Sequence, residues 1–203
     1  MSPSLDKQLC EKYPKIFKNR SASMQESCMH WGICVGDGWY NIIDMLCMAM
    51  SHSYSTGITI DKEDADKFGI PRPDDEGPDR YYLTVESPQV IADQVKEKFG
   101  TLRFYYHLEF DKKVIDINKT GKYLDLQKII NEYHHFFDGM VHMAETMSAH
   151  TCEDTGREGE MHASDGTLRG WRRVLNREYA KANEFYVSKN YVPVKDLPND
   201  DEL

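Results

Sequence analysis

SPQVIADQVKEKFGTLRFYYHLEF, residues 87–110, decides the predicted fold because helix, stop and strand signals follow one another within it. Ser87 and Pro88 are typical of a helix start, where a hydroxyl caps free amides and proline fits the first turn. The apolar residues that recur four positions apart, as on one helix face, are Ile91, Val95 and Phe99. Gly100 suits the position just beyond a helix end. The predicted elements are a helix over 87–99 and a strand over 101–110.

Alternation along the predicted strand divides its side chains between two faces. One face carries Leu102, Phe104 and Tyr106, and the other carries Thr101, Arg103, Tyr105 and His107. Arg103 therefore stands beside Tyr105 and near two lysines, Lys96 and Lys98. Cations next to aromatic rings favour a ligand that is anionic and contains a ring.

The preceding stretch, SMQESCMHWGICVGDGWYNIIDMLCMAM, contains Gly32, Gly36 and Gly38, which indicate a backbone that turns tightly or approaches another segment closely. Asp37 suits the cap of a helix over about 38–51. Two interpretations remain open. The turn is either a binding loop, with Asp37 and Trp39 beside free helix amides, or a structural turn with tryptophans packed in the core.

Residues 122–149 give the longest helical signal in the chain. The apolar seam has steps of three and four residues, and consists of Leu126, Ile129, Tyr133, Phe136, Met140, Met143 and Met147. Ile130, Phe137 and Ala144 widen the stripe, which favours a core helix over the alternative of a dimer seam. The pattern therefore predicts one long helix packed on the sheet.

The C-terminal segment predicts a small appendage over 151–187 and a tail over 188–203. Cys152, Thr155 and Gly156 have the outline of a zinc knuckle whose second cysteine is missing. A residual three-ligand site of His150, Cys152 and His162 is the alternative to no metal at all, and we expect no metal and no cofactor. Trp171 and the apolar residues after it indicate a short helix. The basic residues of this stretch are Arg169, Arg172, Arg173 and Arg177.

Composition excludes several classes of protein. A net charge of −9 and a pI of about 5.4 argue against non-specific binding to nucleic acid or to anionic membranes. Five scattered cysteines fit a reducing compartment. We expect no signal peptide, no membrane span and a cytoplasmic location.

Together these patterns predict an α+β fold: a small antiparallel sheet packed by three main helices, one of them long, with a small C-terminal appendage. The sheet is expected to contain 81–85 paired with 101–110. The predicted main domain covers 1–150, with a polar surface excursion at about 52–80.

Three blocks, MHWGICVGDGWYNIIDMLC, VKEKFGTLRFYY, and MAETMSAHTCEDTG followed by GW, resemble a family of small uncharacterised tailed-bacteriophage proteins over roughly residues 8–180. In that family the last block carries CxxCG and a later pair of metal ligands. Here Thr155 replaces the second cysteine, and Asn176 and Tyr179 stand near the later pair. The resemblance implies an accessory role in the cytoplasm of an infected bacterium and a lobe that keeps its shape without metal.

Three functions remain open from the sequence, beside the plain interpretation that the charged aromatic strand is only structural. The first is a non-catalytic protein that sequesters a nucleotide-derived host signal. Its expected site residues are Asp37, Trp39, Lys96, Lys98, Arg103, Tyr105 and Tyr106. The second is an accessory factor, a possible homo-oligomer, that binds a host protein or, less readily, DNA through Arg169–Arg177 and the acidic excursion. The third is a nucleotide hydrolase, whose candidate acid and base groups are Asp37, Asp44, His30 and His107.

Overall fold

The computed structural model describes residues 1–72 and 81–197. Its helices are α1 (Pro3–Lys12), α2 (Tyr40–Met50), α3 (Lys62–Phe68), α4 (Lys112–Asn118), α5 (Leu124–Ser148), α6 (Arg177–Ala182) and α7 (Glu184–Ser188). Its strands are β1 (Ile33–Cys34), β2 (Ser55–Ile60), β3 (Tyr81–Glu86), β4 (Gln89–Lys98), β5 (Thr101–Glu109), β6 (Glu160–Ala163), β7 (Arg172–Leu175) and β8 (Val192–Pro193). The predicted α+β class is confirmed. The acidic end of the predicted excursion and the end of the predicted tail lie outside the described residues.

The segment 89–109 forms a β-hairpin, so the predicted helix over 87–99 is wrong. β4 pairs antiparallel with β5 and joins it through a two-residue turn at Phe99 and Gly100. The register shifts between Ala92 and Gln94, where a bulge interrupts the alternation of buried side chains. That interruption produced the helical spacing of the apolar residues, although they lie in a strand.

Three small sheets organise the described residues. The central sheet has the order β1-β4-β5, with β1 parallel to β4. The predicted pairing of 81–85 with 101–110 is also wrong, because β3 pairs antiparallel with β2. Part of the predicted surface excursion therefore belongs to a sheet, and Ile58 and Ile60 of β2 are buried in a second hydrophobic cluster.

Two helices predicted from the sequence cover one face of the central sheet. α2 and α5 pack against each other, and α5 packs along β5. The main core joins Ile43 and Leu46 of α2 with Phe137 of α5 and with Val95 and Phe104 of the sheet. This agreement follows from long amphipathic stretches, in which burial and helical period coincide.

The C-terminal segment forms a lobe around the sheet β7-β6-β8. The predicted helix at Trp171 is wrong, because this tryptophan leads into β7 and the helix α6 begins only at Arg177. The predicted tail also begins too early, since β8 pairs with β6 at His162 and Ala163. Apolar side chains on both faces of a short strand mimic a helical stripe, which explains the first error.

The turn before α2 joins the lobe to the main body. Gly36 N donates to Glu153 Oε1 at 2.9 Å, and Gly38 N donates to the carbonyl oxygen of Glu153 at 2.7 Å. A Cβ on Gly38 would lie 2.3 Å from the carbonyl oxygen of Cys152. The close approach predicted for these glycines is therefore confirmed, and the segment they approach is 152–156.

Candidate functional site

A cavity of about 580 Å³ lies between the β4–β5 turn and the loop that precedes β7. We call it the Phe99–Trp171 cavity. The side chains that give it chemical character are Glu97, Lys98, Phe99, Arg169, Trp171 and Arg172. Its volume falls within the range that small-molecule sites occupy in proteins.

Phe99 lies on one side of the cavity in a backbone conformation that phenylalanine seldom adopts. Its φ is 55° and that of Gly100 is 81°, so both turn residues have the positive φ typical of a type I′ hairpin. The Phe99 side chain is 70% exposed. Behind the turn, a Cβ on Gly100 would lie 2.5 Å from the Sδ of Met161, so the hairpin packs closely on the lobe. The lobe thus fixes the turn while the Phe99 ring stays open to solvent.

Trp171 provides a second exposed ring, and the loop that carries it is anchored by Ser164. Ser164 N donates to the Trp171 carbonyl oxygen at 2.9 Å, and Trp171 N donates to Ser164 Oγ at 2.8 Å. The Trp171 side chain nevertheless remains 68% exposed. An anchored backbone with a free indole gives a ligand a stacking surface at low entropic cost.

Three cations share this cavity, and none of them forms an ion pair with another described residue. Lys98 Nζ lies 5.3 Å from the centre of the Phe99 ring, and Arg172 donates to the Leu168 carbonyl oxygen at 3.3 Å. Glu97 is the one acidic residue in the lining among the described residues. Burial raises the pKa of Glu97 above its usual value, although the bond from Gly100 N acts in the opposite direction. The cavity is therefore locally cationic on an acidic protein.

Trp39 and Asp37, which are expected from the sequence to bind the ligand, instead make contacts within the fold. Trp39 is fully buried, and its Nε1 donates to the Thr151 carbonyl oxygen at 2.8 Å. A ring without exposed surface cannot stack on a ligand, so the structural interpretation of the GDGW turn is the better one. Asp37 Oδ1 accepts a bond from Ser2 N at 2.5 Å.

The expected cleft with both tyrosines does not form, because neighbouring residues of β5 point to opposite faces of the sheet. Tyr106 faces the core side and donates to Asp138 Oδ1 at 2.6 Å. Tyr105 lies on the outer face, where Lys96 Nζ is 5.3 Å from its ring centre. Arg103 bends along the strand to Thr101 Oγ1, at 2.7 Å. Of the seven expected residues, Lys98 alone lines the Phe99–Trp171 cavity among the described residues.

The basic stretch 169–177 divides into two pairs. Arg173 binds Glu153 and Asp154 inside the lobe, with its Nη2 at 2.8 Å from Glu153 Oε2. Arg177 pairs with Glu160 and Asp196. Arg169 and Arg172 are left to the cavity. The stretch therefore does not present one continuous basic surface.

Each of the four candidate acid and base groups bonds to a different partner, and these groups do not line the Phe99–Trp171 cavity. Beyond Asp37, the Asp44 carboxylate accepts from Lys12 and Tyr13. His30 Nδ1 lies 2.8 Å from the Ala22 carbonyl oxygen, and His107 Nδ1 lies 2.8 Å from Asp93 Oδ1. The structure offers no shared geometry among these groups for catalysis.

The three candidate metal ligands are not assembled either. Cys152 and His162 are buried, and His162 Nδ1 lies 2.9 Å from the Glu160 carbonyl oxygen, whereas His150 is exposed. Across residues 1–72 and 81–197, no three histidine, cysteine or acidic side chains are grouped as a metal ion would require. Within the same ranges, no helix combines the length and apolar character needed to cross a membrane.

Comparisons with protein-family models, with curated proteins and with solved structures found no match. The cavity must therefore be interpreted from its own residues. Sequence reasoning misses Phe99 because its spacing places it on a helix face, and misses Trp171 because the pattern after it indicates a short helix. The signal that could have found the turn is the two-residue spacing between Lys98 and Thr101, with glycine in the second position.

Proposed function

We propose that this protein binds a small anionic ligand with an aromatic ring, of the nucleotide type, in the Phe99–Trp171 cavity. The observation that carries the proposal is the coincidence of two exposed aromatic rings with three cations that have no acidic partner among the described residues. Bases stack on aromatic side chains, and phosphate oxygens accept bonds from arginine and lysine. Phe99 and Trp171 serve the base, while Lys98, Arg169 and Arg172 serve the phosphates.

Binding without catalysis is the form of this function that the cavity favours. Among the described residues the lining contains no histidine, cysteine or serine, and its single carboxyl, Glu97, accepts a bond from the turn. Nucleotide hydrolysis ordinarily needs a metal or a positioned base. We therefore propose sequestration of a nucleotide-derived signal, and the setting in a phage-infected bacterium rests on the sequence resemblance alone.

The test is equilibrium calorimetry with ATP, GTP, cyclic di-AMP and cyclic di-GMP, followed by analysis of the nucleotide recovered. We expect one of these to bind and to be recovered intact. Trp171→Ala should weaken binding about five- to 150-fold, because stacking of one base is worth about 1–3 kcal/mol. Trp31→Ala is the matched control, since Trp31 is 67% exposed but lies outside the cavity.

Removal of the Glu97 charge provides a second test within the same experiment. Glu97→Gln keeps an oxygen for Gly100 N but removes a negative charge, so an anionic ligand should bind more tightly. Equal affinities for wild type, Trp171→Ala and Glu97→Gln would refute the site. Recovery of hydrolysed nucleotide would replace sequestration with catalysis.

A further inference from the structure

The apolar seam of α5 lies largely at the surface, although its sequence pattern predicts a core position. Leu126 is the one seam residue that is buried among the described residues, and the other buried apolar residues of α5 belong to the neighbouring stripe, namely Ile130, Phe137, Val141 and Ala144. Phe136, Met143 and Met147 of the seam are exposed, and Ile129, Tyr133 and Met140 are half-buried. One stripe of α5 thus packs in the core, and a second stripe lies at the surface.

This second stripe borders two adjacent depressions, one against α2 and one against the start of β2, which together we call the α2–α5 groove. One part is lined by Met45 and Ala49 of α2 with Met143 and Met147 of α5. The other part is lined by Tyr54, Ile129 and Tyr133, and Phe136 belongs to both parts. From Ile129 to Met147 the groove follows α5 for about 27 Å, at 1.5 Å per residue.

Gly139 lies near the middle of this groove and is not required by the fold of the described residues. A Cβ added there would meet no atom within 4 Å. Glycine inside a helix costs about 1 kcal/mol relative to alanine. Glycine has no side chain, so at an open position facing a groove it allows the backbone of another helix to approach closely.

The groove is almost neutral. Glu132 is the one charged residue in its lining among the described residues, and it pairs with Lys128. Nearby carboxylates are directed elsewhere, since Asp138 accepts from Tyr106 and Glu145 lies 3.7 Å from Arg103. A basic partner would need acidic side chains on the rim, so charge favours an apolar, neutral occupant.

We propose that a second copy of this chain occupies the α2–α5 groove, forming a two-fold dimer. Met45, Tyr54, Phe136, Met143 and Met147 are 39% to 62% exposed. Five such side chains present roughly 500 Å² per copy, near the upper limit for an isolated monomer. Two copies together bury roughly 1,000 Å², which is the minimum for a specific interface.

Two-fold symmetry suits this surface because the same patch meets itself in such a dimer. With α5 antiparallel to its symmetry mate, the two Gly139 residues lie near the axis, where the backbones come closest. Phe136 of one copy then faces Met143 of the other. The occupant is chemically matched, because both sides are apolar and carry no unpaired charge at the contact.

The test is the oligomeric state of the full chain by sedimentation equilibrium, with Met143→Glu as the disrupting variant. Met143 is 62% exposed in the groove, and Met24→Glu is the matched control because Met24 is 59% exposed elsewhere. We expect a dimer with a micromolar Kd for wild type and Met24→Glu, and a monomer for Met143→Glu. A dimer that persists in Met143→Glu would overturn the proposal, as would a wild type that stays monomeric at about 100 μM.

Gly139→Leu separates the interface from folding. In the monomer an added Cβ meets no atom within 4 Å and the position faces the open groove, so we expect the melting temperature not to fall, yet leucine would fill the groove where two helices meet. We expect a stable monomer. Raising the salt concentration should strengthen the wild-type dimer, because each copy carries a charge of −9. Dissociation by salt would instead indicate a charged contact and contradict the proposed interface.

Discussion

Phe99 carries a conformational cost that the fold of the described residues does not require. A bulky residue with positive φ costs about 1–3 kcal/mol, and such residues cluster at functional sites. Asparagine tolerates this conformation and precedes glycine in the favoured form of the same turn. The structure therefore retains a strained and exposed ring at a position where a polar residue would be more stable.

We expect Phe99→Asn to stabilise the protein by about 1 kcal/mol and to weaken ligand binding at least five-fold. Stability rises because the turn loses its strain, and binding falls because a stacking surface is removed. Urea unfolding and calorimetry measure the two effects. A variant that is less stable than wild type would show that the Phe99 ring contributes to packing.

At the scale of elements, the sequence predicted the helices α2 and α5 and the strands β3 and β5, but it assigned β4 to a helix, and the hairpin explains why. The long helix α5 repeats its apolar pattern over 25 residues, so small irregularities do not obscure it. β4 has ten residues and a bulge, and Ile91 is buried on the face opposite Val90 and Ala92. Burial on both faces removes the alternation on which strand prediction depends.

The turn at Gly36–Gly38 connects the lobe to the main body, and we expect substitutions there to be the most destabilising. We expect Gly38→Ala to destabilise the protein by about 3 kcal/mol, because its Cβ would meet the backbone of Cys152 and Gly156. Gly139→Ala is the control, and should stabilise the monomer by about 0.5–1 kcal/mol, since no atom of the same chain lies within 4 Å of its Cβ. Chemical denaturation measures both. A mild effect at Gly38 would mean that the lobe and the main body can separate slightly without unfolding.

For the whole molecule, His162 links stability to pH from the centre of the β7-β6-β8 sheet. Burial lowers the pKa of His162 below its usual 6.5, so the folded state favours the neutral ring. The contribution of His162 to the free energy of unfolding is present above pH 6.5. It is lost as the pH falls towards the pKa of His162 in the folded state, because the unfolded chain then binds a proton more readily than the folded chain does.

We expect the free energy of unfolding to fall between pH 7 and pH 5, by at most about 1.4 kcal/mol per pH unit from this group. His162→Leu should flatten the profile, whereas His150→Leu, at an exposed position, should leave it unchanged. The carboxylates with lowered pKa, including Glu109 and Glu160, act only below about pH 4.5. Denaturant titrations across this range measure the slope, and an unchanged slope in His162→Leu would contradict the assignment.

The cavity itself could not be predicted at this scale, because its two halves are separated by about seventy positions in the sequence. Lys98 and Phe99 come from the central hairpin, while Arg169 and Trp171 come from the lobe. Local patterns identified the cations and the aromatic residues but could not indicate which of them meet. The sequence did supply the chemistry of the expected ligand, and Lys98 belongs to both the expected and the observed set.

The bonds between the Gly36–Gly38 turn and Glu153 also constrain how the chain is made. Glu153 follows Gly36 by 117 residues, and Trp39 finds its acceptor at Thr151, 112 residues later. At about 5–20 residues per second, a ribosome needs roughly 6–23 seconds to deliver these partners. During that interval the apolar face of α2 and the Trp39 side chain remain exposed to solvent. The nascent chain is therefore exposed to chaperones and proteases until its last quarter emerges.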